Sequence, residues 1–230
     1  SISMVSKYIQ SNFLKGYTRF VKSLFDKVIA AFALLIISPL MFLVAIAVYF
    51  RMGSPILFTQ LRSGRHGATF KVYKFRSMTD ARDHNGNLLP DEQRVTRLGK
   101  FLRRVKLDET LQLWNICKGE MSFVGPRPTV PEQVKDYNNF QKLRLLVKPG
   151  LTGWAQVNGN IELTWNERIY LDVWYLKHWS LLLDFVILIR TISVVIWGEH
   201  RNEQTLKQAI AEIDSSLKTT ETKVIAEILK

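Results

Sequence analysis

The chain has 230 residues, and its 32 Lys and Arg against 20 Asp and Glu give a formal net charge of +12. Such an excess indicates anionic partners, which are nucleic acid, phosphorylated small molecules or an acidic membrane surface. The single cysteine, Cys117, excludes an internal disulfide framework, and the four scattered histidines lack the spacing of a zinc site.

Residues 1–27 are predicted to form a basic amphipathic helix. Apolar side chains such as Phe13, Phe20 and Leu24 recur at helical spacing between lysines and arginines. This pattern is typical of a helix that lies in the headgroup layer of a membrane. We therefore expect the N-terminal segment to meet a bilayer.

Residues 28–50 contain no charged side chain and are predicted to form a membrane helix, because a soluble helix of this length would keep a polar stripe. A straight helix over these residues reaches about 35 Å, enough to cross a hydrocarbon core of about 30 Å. Ser38-Pro39 at the centre predicts a break, since proline removes a backbone donor and clashes with the carbonyl of Leu35. Basic residues flank both ends, which favours re-entry, with a kinked spanning helix as the alternative.

From Arg62 to Lys106 the composition changes, with twelve Lys or Arg against four Asp or Glu. Alternating apolar residues predict a short strand over residues 68–75. A helix is expected after Thr96, a good N-cap residue. A second helix is expected from about Leu107 until Gly119 ends it. Residues 51–198 are therefore predicted to form a globular domain.

The segment over residues 181–197 is also apolar. Asp184 and Arg190 argue against its insertion into a bilayer, which leaves packing at the membrane interface or in the core open. Residues 199–230 balance their charges and predict a mobile helical tail. The fold class expected for the whole chain is mainly α with a small β element (α+β).

Asp108 and Glu109 are the first candidates for chemistry. Most acidic pairs near a helix N-terminus only complement the helix dipole. Adjacent carboxylates cannot stand on opposite sides of a glycosidic bond, which argues against a glycosidase. They can bind Mg²⁺, and one of them can act as a nucleophile toward phosphorus. The nearby arginines are expected to lower the pKa of both acids and to attract a pyrophosphate.

The segment Gly125-Pro126-Arg127-Pro128 predicts a stiff turn that presents one arginine. Its two prolines fix φ, so the guanidinium loses little entropy when it binds a phosphate. A surface turn with an incidental arginine is the plainer interpretation of these four residues alone. The sequence KPGLTGW at residues 148–154 predicts a second constrained loop.

Ten motifs together resemble those of the monotopic bacterial sugar transferases, which are small polyprenol-phosphate phosphoglycosyl transferases. The motifs stand in the family's order and cover roughly residues 20–198. They are FD at residues 25–26, SP at 38–39, FTQLRSGRHG at 58–67, KFRSM at 74–78, RVTRLGKFLRR at 94–104, LDE at 107–109, QLWN at 112–115, GEMSFVGPRP at 119–128, KPGLTGWAQVNG at 148–159 and LDVWYLKHWS at 171–180. One such motif is weak evidence, whereas ten in register are specific.

The resemblance implies a monotopic protein at the cytoplasmic face of the bacterial inner membrane. Its re-entrant helix would be broken at Ser38-Pro39, and amphipathic helices would lie on the anionic inner leaflet. The implied reaction moves a sugar-1-phosphate from a UDP-sugar to polyprenyl (undecaprenyl) phosphate with Mg²⁺ as cofactor. That reaction starts the assembly of a glycan, such as an exopolysaccharide, a capsule, an O-antigen or a glycoprotein glycan. A homo-oligomer is left open.

The same resemblance assigns roles to individual residues. Asp108 would attack the β-phosphate of the UDP-sugar, release UMP and carry the phosphosugar until polyprenyl phosphate takes it. Glu109 would assist, either by holding the metal together with Asp108 or by deprotonating the acceptor. The expected phosphate-binding residues are Lys74, Arg76, Arg103 and Arg127.

Two positions depart from the family pattern. Leu111 stands where proline is common, so the start of the following helix is open. Asn160 stands where an arginine is frequent, which weakens a predicted substrate contact there. A catalytically silent membrane scaffold with a basic phosphate- or lipid-binding surface is the rival hypothesis. The sequence contains no nucleic-acid recognition motif, so nucleic acid is not expected as a partner.

Overall fold

The first element is one long helix. The computed structural model describes the backbone of residues 16–228 and the side chains of residues 20–218, and α1 comprises Gly16–Met52. Residues 1–15 of the expected amphipathic helix lie outside the described residues. Residues 16–27 and the expected membrane helix over residues 28–50 are continuous in α1, so the helix has no boundary at residue 27.

α1 has a narrow buried stripe and a wide exposed apolar surface. Ala30 and Val48 are fully buried against the rest of the chain, whereas Leu35, Ile36 and Phe50 are exposed at 72%, 77% and 80%. Among the described residues, this is the one helix long and apolar enough to cross a membrane, and only 11% of its most apolar window is buried. Because a soluble protein rarely leaves so large an apolar surface in water, α1 associates with a membrane.

Pro39 lies inside α1 without ending it. Since proline has no backbone N–H, the carbonyl of Leu35 loses its usual helical donor. Ser38 Oγ donates a hydrogen bond to that carbonyl at 2.8 Å. The serine therefore supplies a donor for this carbonyl, and the residues on both sides of the expected break are helical.

After α1 the chain forms an α+β domain with two small sheets. β1 (Leu57–Ser63) and β2 (Thr69–Phe75) form an antiparallel hairpin. β3 (Ser122–Val124) and β4 (Gly150–Thr152) pair in parallel. The strand expected over residues 68–75 is confirmed as β2, whereas its partner β1 was not predicted.

Short helices connect the strands, and three longer helices close the chain. They are α2 (Asp91–Arg94), α3 (Arg97–Arg104), α4 (Gln112–Lys118), α5 (Pro131–Lys135), α6 (Asn139–Lys142), α7 (Trp165–His178), α8 (Leu181–Trp197) and α9 (Glu203–Ile228). As predicted, Thr96 caps α3 by accepting a hydrogen bond from the backbone N–H of Gly99, and Gly119 ends α4 with a φ of 81°. The mainly α class with a small β element is confirmed.

α8 has a buried face and an exposed apolar face. Asp184 on the buried face accepts hydrogen bonds from Lys22, Tyr175 and Trp179 at 2.5, 2.6 and 3.1 Å. These contacts satisfy the carboxylate and join α8 to the first part of α1. Leu182 and Phe185 on the opposite face are exposed at 72% and 60%, which is the pattern expected of an interfacial helix.

α9 is an integral part of the globular domain. Leu206, Ala209 and Ile213 are buried in the apolar clusters that α9 shares with α7. Asp214 accepts a hydrogen bond from Tyr170 of α7 at 2.8 Å. The mobile tail predicted over residues 199–230 is therefore wrong for the described side chains, because one face of this charge-balanced helix is apolar and covers the core.

Candidate active site

A cleft of about 1070 Å³ lies between the end of β2, α3, the turn at residues 125–128 and the end of α8. This volume slightly exceeds the range of about 300–1,000 Å³ that small-molecule sites usually occupy. Every residue selected from the sequence as catalytic or phosphate-binding lines this cleft. These residues are Lys74, Arg76, Arg103, Asp108, Glu109 and Arg127.

Asp108 and Glu109 stand on a 3-10 turn, Leu107–Glu109, between α3 and α4. Lys106 reverses the chain just before this turn, with a φ of 58° that few residues other than glycine adopt. Leu107 and Leu111 pack into the apolar cluster beneath α1. The acidic pair is therefore anchored from both sides of its turn.

The backbone of Leu111 shows where the helix after the acidic turn begins. This residue adopts an α-helical conformation, and α4 begins directly after it at Gln112. The partly buried side chain of Leu111 also packs against the cluster under α1, a space that a proline ring would fill less completely. The departure from the family pattern therefore leaves the acidic turn and the following helix intact.

Glu109 is held by two cations. Its Oε1 accepts hydrogen bonds from Lys74 Nζ at 2.5 Å and from Arg127 Nη2 at 2.9 Å. Burial alone would raise the pKa of this carboxyl, but the two cations outweigh burial and lower it to about 2. Glu109 is therefore a stable anion and a weak base.

Asp108 has the opposite environment. It is 7% exposed, and its Oδ1 has no hydrogen-bond partner among the described residues. Burial, together with the negative charge of Glu109, raises its pKa above the usual value, although Lys74 and Arg103 act against this shift. The expectation that the cations lower the pKa of both acids is thus wrong for Asp108, because desolvation outweighs them.

The turn that carries Arg127 is fixed by close backbone contacts. A Cβ atom on Gly150 would lie 2.1 Å from the backbone nitrogen of Gly125, and one on Gly153 would lie 2.2 Å from its carbonyl oxygen. Only glycine permits this approach between the two constrained loops found in the sequence. The parallel pairing of β3 with β4 brings the loops together and places Arg127 within hydrogen-bond distance of Glu109.

A buried ion pair supports the same turn from behind. Arg144 Nη2 donates to the carbonyl of Arg127 at 2.9 Å and lies 2.7 Å from Asp172 Oδ2. Burial raises the pKa of Asp172 to about 6 against the opposing effect of Arg144. The pair therefore orders the turn at an electrostatic cost, which is typical of fully buried charges.

Arg103 reaches the cleft from the last turn of α3. Its Nε donates to Ser77 Oγ at 2.9 Å. α3 approaches this segment so closely that a Cβ atom on Gly99 would lie 1.9 Å from the carbonyl oxygen of Ser77. Gly99 therefore sets the distance between α3 and the chain after β2, and through it the position of Arg103.

Arg76 lines the cleft, but its guanidinium is occupied by protein acceptors. Nε donates to Met78 O at 3.0 Å, Nη1 to Met52 O at 3.2 Å and Nη2 to Asp80 at 2.5 Å. These contacts tie the C-terminal end of α1 to the segment after β2. The structure thus gives Arg76 a structural role, with few donors left for the phosphate contact that the motif suggested.

Sequence reasoning missed part of the cleft wall. Glu199 accepts hydrogen bonds from Asn160 Nδ2 at 2.7 Å and lies 3.6 Å from Lys106 Nζ. Asn160 and Lys106 both have a positive φ, at 40° and 58°. No local pattern marks Glu199, because its partners lie far away in the chain. The positive φ values are backbone features that often occur at functional sites.

Asp108 and Glu109 are also the candidates for holding a metal. Among the described residues, no group of three or more His, Cys, Asp or Glu side chains is placed to bind an ion. The free Oδ1 of Asp108 beside a second carboxylate nevertheless fits Mg²⁺. This ion commonly takes one or two protein carboxylates and completes its shell with water and substrate phosphates.

Comparison with known proteins decides the family. The family model described as bacterial sugar transferase matches residues 17–198, which include nearly all of α1 and all six of the catalytic and phosphate-binding residues selected from the sequence. The chain belongs to this family. The match supports the resemblance that the sequence motifs carry, and the protein is accordingly a transferase.

Several curated relatives are similar over most of this bacterial sugar transferase. It is 45% identical to the uncharacterized sugar transferase EpsL of Bacillus subtilis, over 78% of the chain and 89% of that protein. It is 38% identical to the undecaprenyl-phosphate galactose phosphotransferase of Salmonella typhimurium, over 82% of the chain and 43% of that protein. It is 41% identical to the UDP-glucose:undecaprenyl-phosphate glucose-1-phosphate transferase of Xanthomonas campestris, over 79% of the chain and 40% of that protein. The chain thus spans less than half the length of the last two.

We expect Gly99→Ala to destabilise this transferase. Alanine inside a helix normally stabilises by about 0.5–1 kcal/mol relative to glycine. Here the new Cβ collides with the Ser77 carbonyl, and overpacking of this kind costs about 1–3 kcal/mol. The midpoint of thermal unfolding in detergent should fall for this variant and stay unchanged for Lys100→Ala, an exposed position on the same helix. A higher midpoint for Gly99→Ala would contradict the close approach of α3.

Proposed function

We propose that the protein transfers a sugar-1-phosphate from a UDP-sugar to polyprenyl (undecaprenyl) phosphate, with release of UMP and with Asp108 as the covalent carrier. The observation that carries this proposal is the contrast between two neighbouring carboxylates. Asp108 has a buried oxygen without a hydrogen-bond partner, whereas Glu109 is paired with two cations. Two of the relatives are an undecaprenyl-phosphate galactose phosphotransferase and a UDP-glucose:undecaprenyl-phosphate glucose-1-phosphate transferase, which supports the reaction class.

Asp108 is the better nucleophile of the pair. Its pKa is raised by burial, so its carboxylate is more basic than an ordinary aspartate and has no internal hydrogen bond to break at Oδ1. The carboxylate of Glu109 has a pKa of about 2 and shares its Oε1 with Lys74 and Arg127. Glu109 therefore serves to position those two cations.

Both chemical steps occur at the β-phosphorus of the donor. In the first step a carboxylate oxygen of Asp108 bonds to this phosphorus, and the bond to the oxygen that bridges to the α-phosphate breaks, so that its electron pair leaves with UMP. In the second step a phosphate oxygen of the acceptor bonds to the same phosphorus, and the carboxylate of Asp108 is released. The product is a sugar joined to a polyprenyl diphosphate, the kind of lipid-linked unit from which a glycan is extended.

The second step needs no general base. A phosphate monoester is largely a dianion at neutral pH, because its second pKa is about 6. Its attacking oxygen therefore carries no proton that must be removed. This feature favours the positioning role of Glu109 over the deprotonation of the acceptor, which was the alternative suggested by the family resemblance.

Positive side chains around the cleft suit a diphosphate substrate. Lys74, Arg103 and Arg127 approach the acidic turn, and the planar fork of Arg127 can make two parallel hydrogen bonds to one phosphate. Mg²⁺ held by Asp108 and Glu109 would add positive charge next to the donor diphosphate. These groups together would neutralise the charge that develops on the departing UMP.

We further propose that α1 enters the inner membrane from the cytoplasmic face and returns to it. Near its start, Asp26 accepts a hydrogen bond from Ser122 at 2.7 Å. At its end, Met52 accepts one from Arg76 at 3.2 Å. Both ends of α1 thus contact the same globular domain, although a helix of its 37 residues would be about 55 Å long and could cross a bilayer. The net charge of +12 suits the anionic inner leaflet of this membrane.

Asp108→Asn should abolish transfer while leaving the protein folded. The amide keeps the shape of the side chain but is a poor nucleophile, so turnover should fall by about 10⁴-fold or more. The measurement is nucleotide release from a panel of UDP-sugars with polyprenyl phosphate, with UMP and UDP separated by chromatography. Asp91→Asn, an exposed acid-to-amide control, should behave as wild type. Near-normal UMP release by Asp108→Asn, or UDP as the wild-type product, would refute the proposal.

The membrane topology can be read by cysteine labelling in intact cells. On a Cys117→Ser background, single cysteines replace Lys7 upstream of α1 and Asn85, which is exposed in the globular domain. A membrane-impermeant maleimide should reach neither cysteine until the inner membrane is permeabilised, because both flanks are cytoplasmic. Labelling of the Lys7 position alone in intact cells would mean that α1 spans the membrane.

A further inference from the structure

A second cavity of about 200 Å³ adjoins the catalytic cleft. It lies between α8, the acidic turn with the start of α4, the β3–β4 pair and the 3-10 turn at residues 156–158. Most of its wall is apolar. The apolar lining residues include Leu113, Phe123, Leu151, Val157, Leu188 and Val195.

One end of this cavity is charged. Two cations, Lys106 and Arg127, and two carboxylates, Glu109 and Glu199, line it, and all four side chains also line the cleft. Arg127 uses Nη2 for Glu109, and its side chain is 41% exposed, so part of its planar fork faces the cavities. A ligand in the apolar cavity would therefore have charged side chains at one end, Arg127 and Lys106 among them, and hydrocarbon side chains along its length.

The opposite wall is α8, whose outer face belongs to the exposed apolar surface. Leu188 lines the cavity, while Ile189 and Ile192 on the same helix are exposed at 51% and 57%. α8 thus separates the cavity from the exposed apolar face of the same helix. A lipid chain that follows α8 from the bilayer would arrive beside the catalytic cations.

The size and lining of the cavity exclude most ligands of this reaction. At about 200 Å³ it is smaller than the sites of about 300–1,000 Å³ that bind drug-sized molecules, so a nucleotide-sugar does not fit. The three threonines in the lining, Thr110, Thr152 and Thr191, already hydrogen-bond within the protein, so a sugar ring would find few partners for its hydroxyls, which is costly. A short branched hydrocarbon has no polar group that could be left unpaired, so its burial in this cavity carries no such cost.

From these observations we propose that the cavity binds the isoprene unit next to the phosphate of the polyprenyl acceptor. The acceptor phosphate then lies at the charged end, near Arg127 and Lys106, and the rest of the chain leaves along α8 toward the bilayer. This site rests on the proposed function, since it specifies where that reaction holds its acceptor. It also separates acceptor binding from the larger cleft that takes the donor.

Leu188→Phe tests this site, because Leu188 lines the cavity but not the catalytic cleft, and the larger ring fills the cavity. Two quantities are compared with wild type in detergent or nanodiscs. The first is UMP released in a single turnover with UDP-sugar and no acceptor, and the second is the KM for polyprenyl phosphate at saturating UDP-sugar. The variant should release UMP as wild type does and show an acceptor KM raised by about tenfold or more. Val157→Phe, on the 3-10 turn that lines the cavity but not the cleft, should act in the same direction.

Ile192→Phe is the matched control, since it adds a ring on the lipid-facing side of the same helix. It should leave both quantities unchanged. An unchanged acceptor KM in both cavity variants would overturn the proposal, and so would a loss confined to UMP release, which would assign the cavity to the donor. If wild type itself releases no UMP without acceptor, the covalent mechanism fails, while the acceptor KM still reports on the cavity.

Discussion

Glu109 accepts hydrogen bonds from Lys74 and Arg127 on one carboxylate oxygen, and the geometry of the site depends on this ion pair. Lys74 comes from the β1–β2 hairpin and Arg127 from the turn after β3, so three distant parts of the chain meet at Glu109. The two cations keep Glu109 ionised. The buried carboxyl of Asp108 therefore lies next to a permanent negative charge. That arrangement raises the pKa of Asp108 and leaves its carboxylate free for chemistry.

The surrounding fold keeps this arrangement rigid by using very close backbone contacts. Gly99 lets α3 rest on the chain after β2, and Gly125, Gly150 and Gly153 let two loops touch behind Arg127. Arg144 then holds the carbonyl of Arg127 from the protein interior. Rigid support of this kind holds a catalytic side chain in place before the substrate arrives, which reduces reorganisation during the reaction. The membrane helix takes part in the same support, because residues beneath α1 pack against the acidic turn.

Local signals in the sequence predicted the elements that depend on local interactions. Thr96 and Gly119 marked helix ends because capping needs only neighbouring residues, and the alternation after residue 68 identified β2. β1 was not predicted because its polar and apolar residues do not alternate cleanly. α9 was predicted to be a mobile tail because its balanced charges conceal an apolar stripe. This stripe is buried only when α9 packs against α7.

The sequence predicted which residues belong to the candidate site, but it did not predict the direction of the pKa shift of Asp108. The motifs selected six side chains, and all six line one cleft. Sequence proximity to cations suggested a lowered pKa for Asp108, yet burial, which depends on the whole fold, raises it. Arg76 resembled a phosphate ligand, but its partners at Met52, Met78 and Asp80 became visible only in three dimensions. Glu199 was missed for the same reason.

The most direct test of the central claim is mass spectrometry of the protein after incubation with a UDP-sugar in the absence of acceptor. The covalent mechanism predicts a mass increase equal to one sugar phosphate on the intact wild-type chain, located by peptide mapping to Asp108. The added mass should disappear when polyprenyl phosphate is supplied. UMP release without any adduct, or an adduct on a residue other than Asp108, would contradict the role assigned to the free carboxylate.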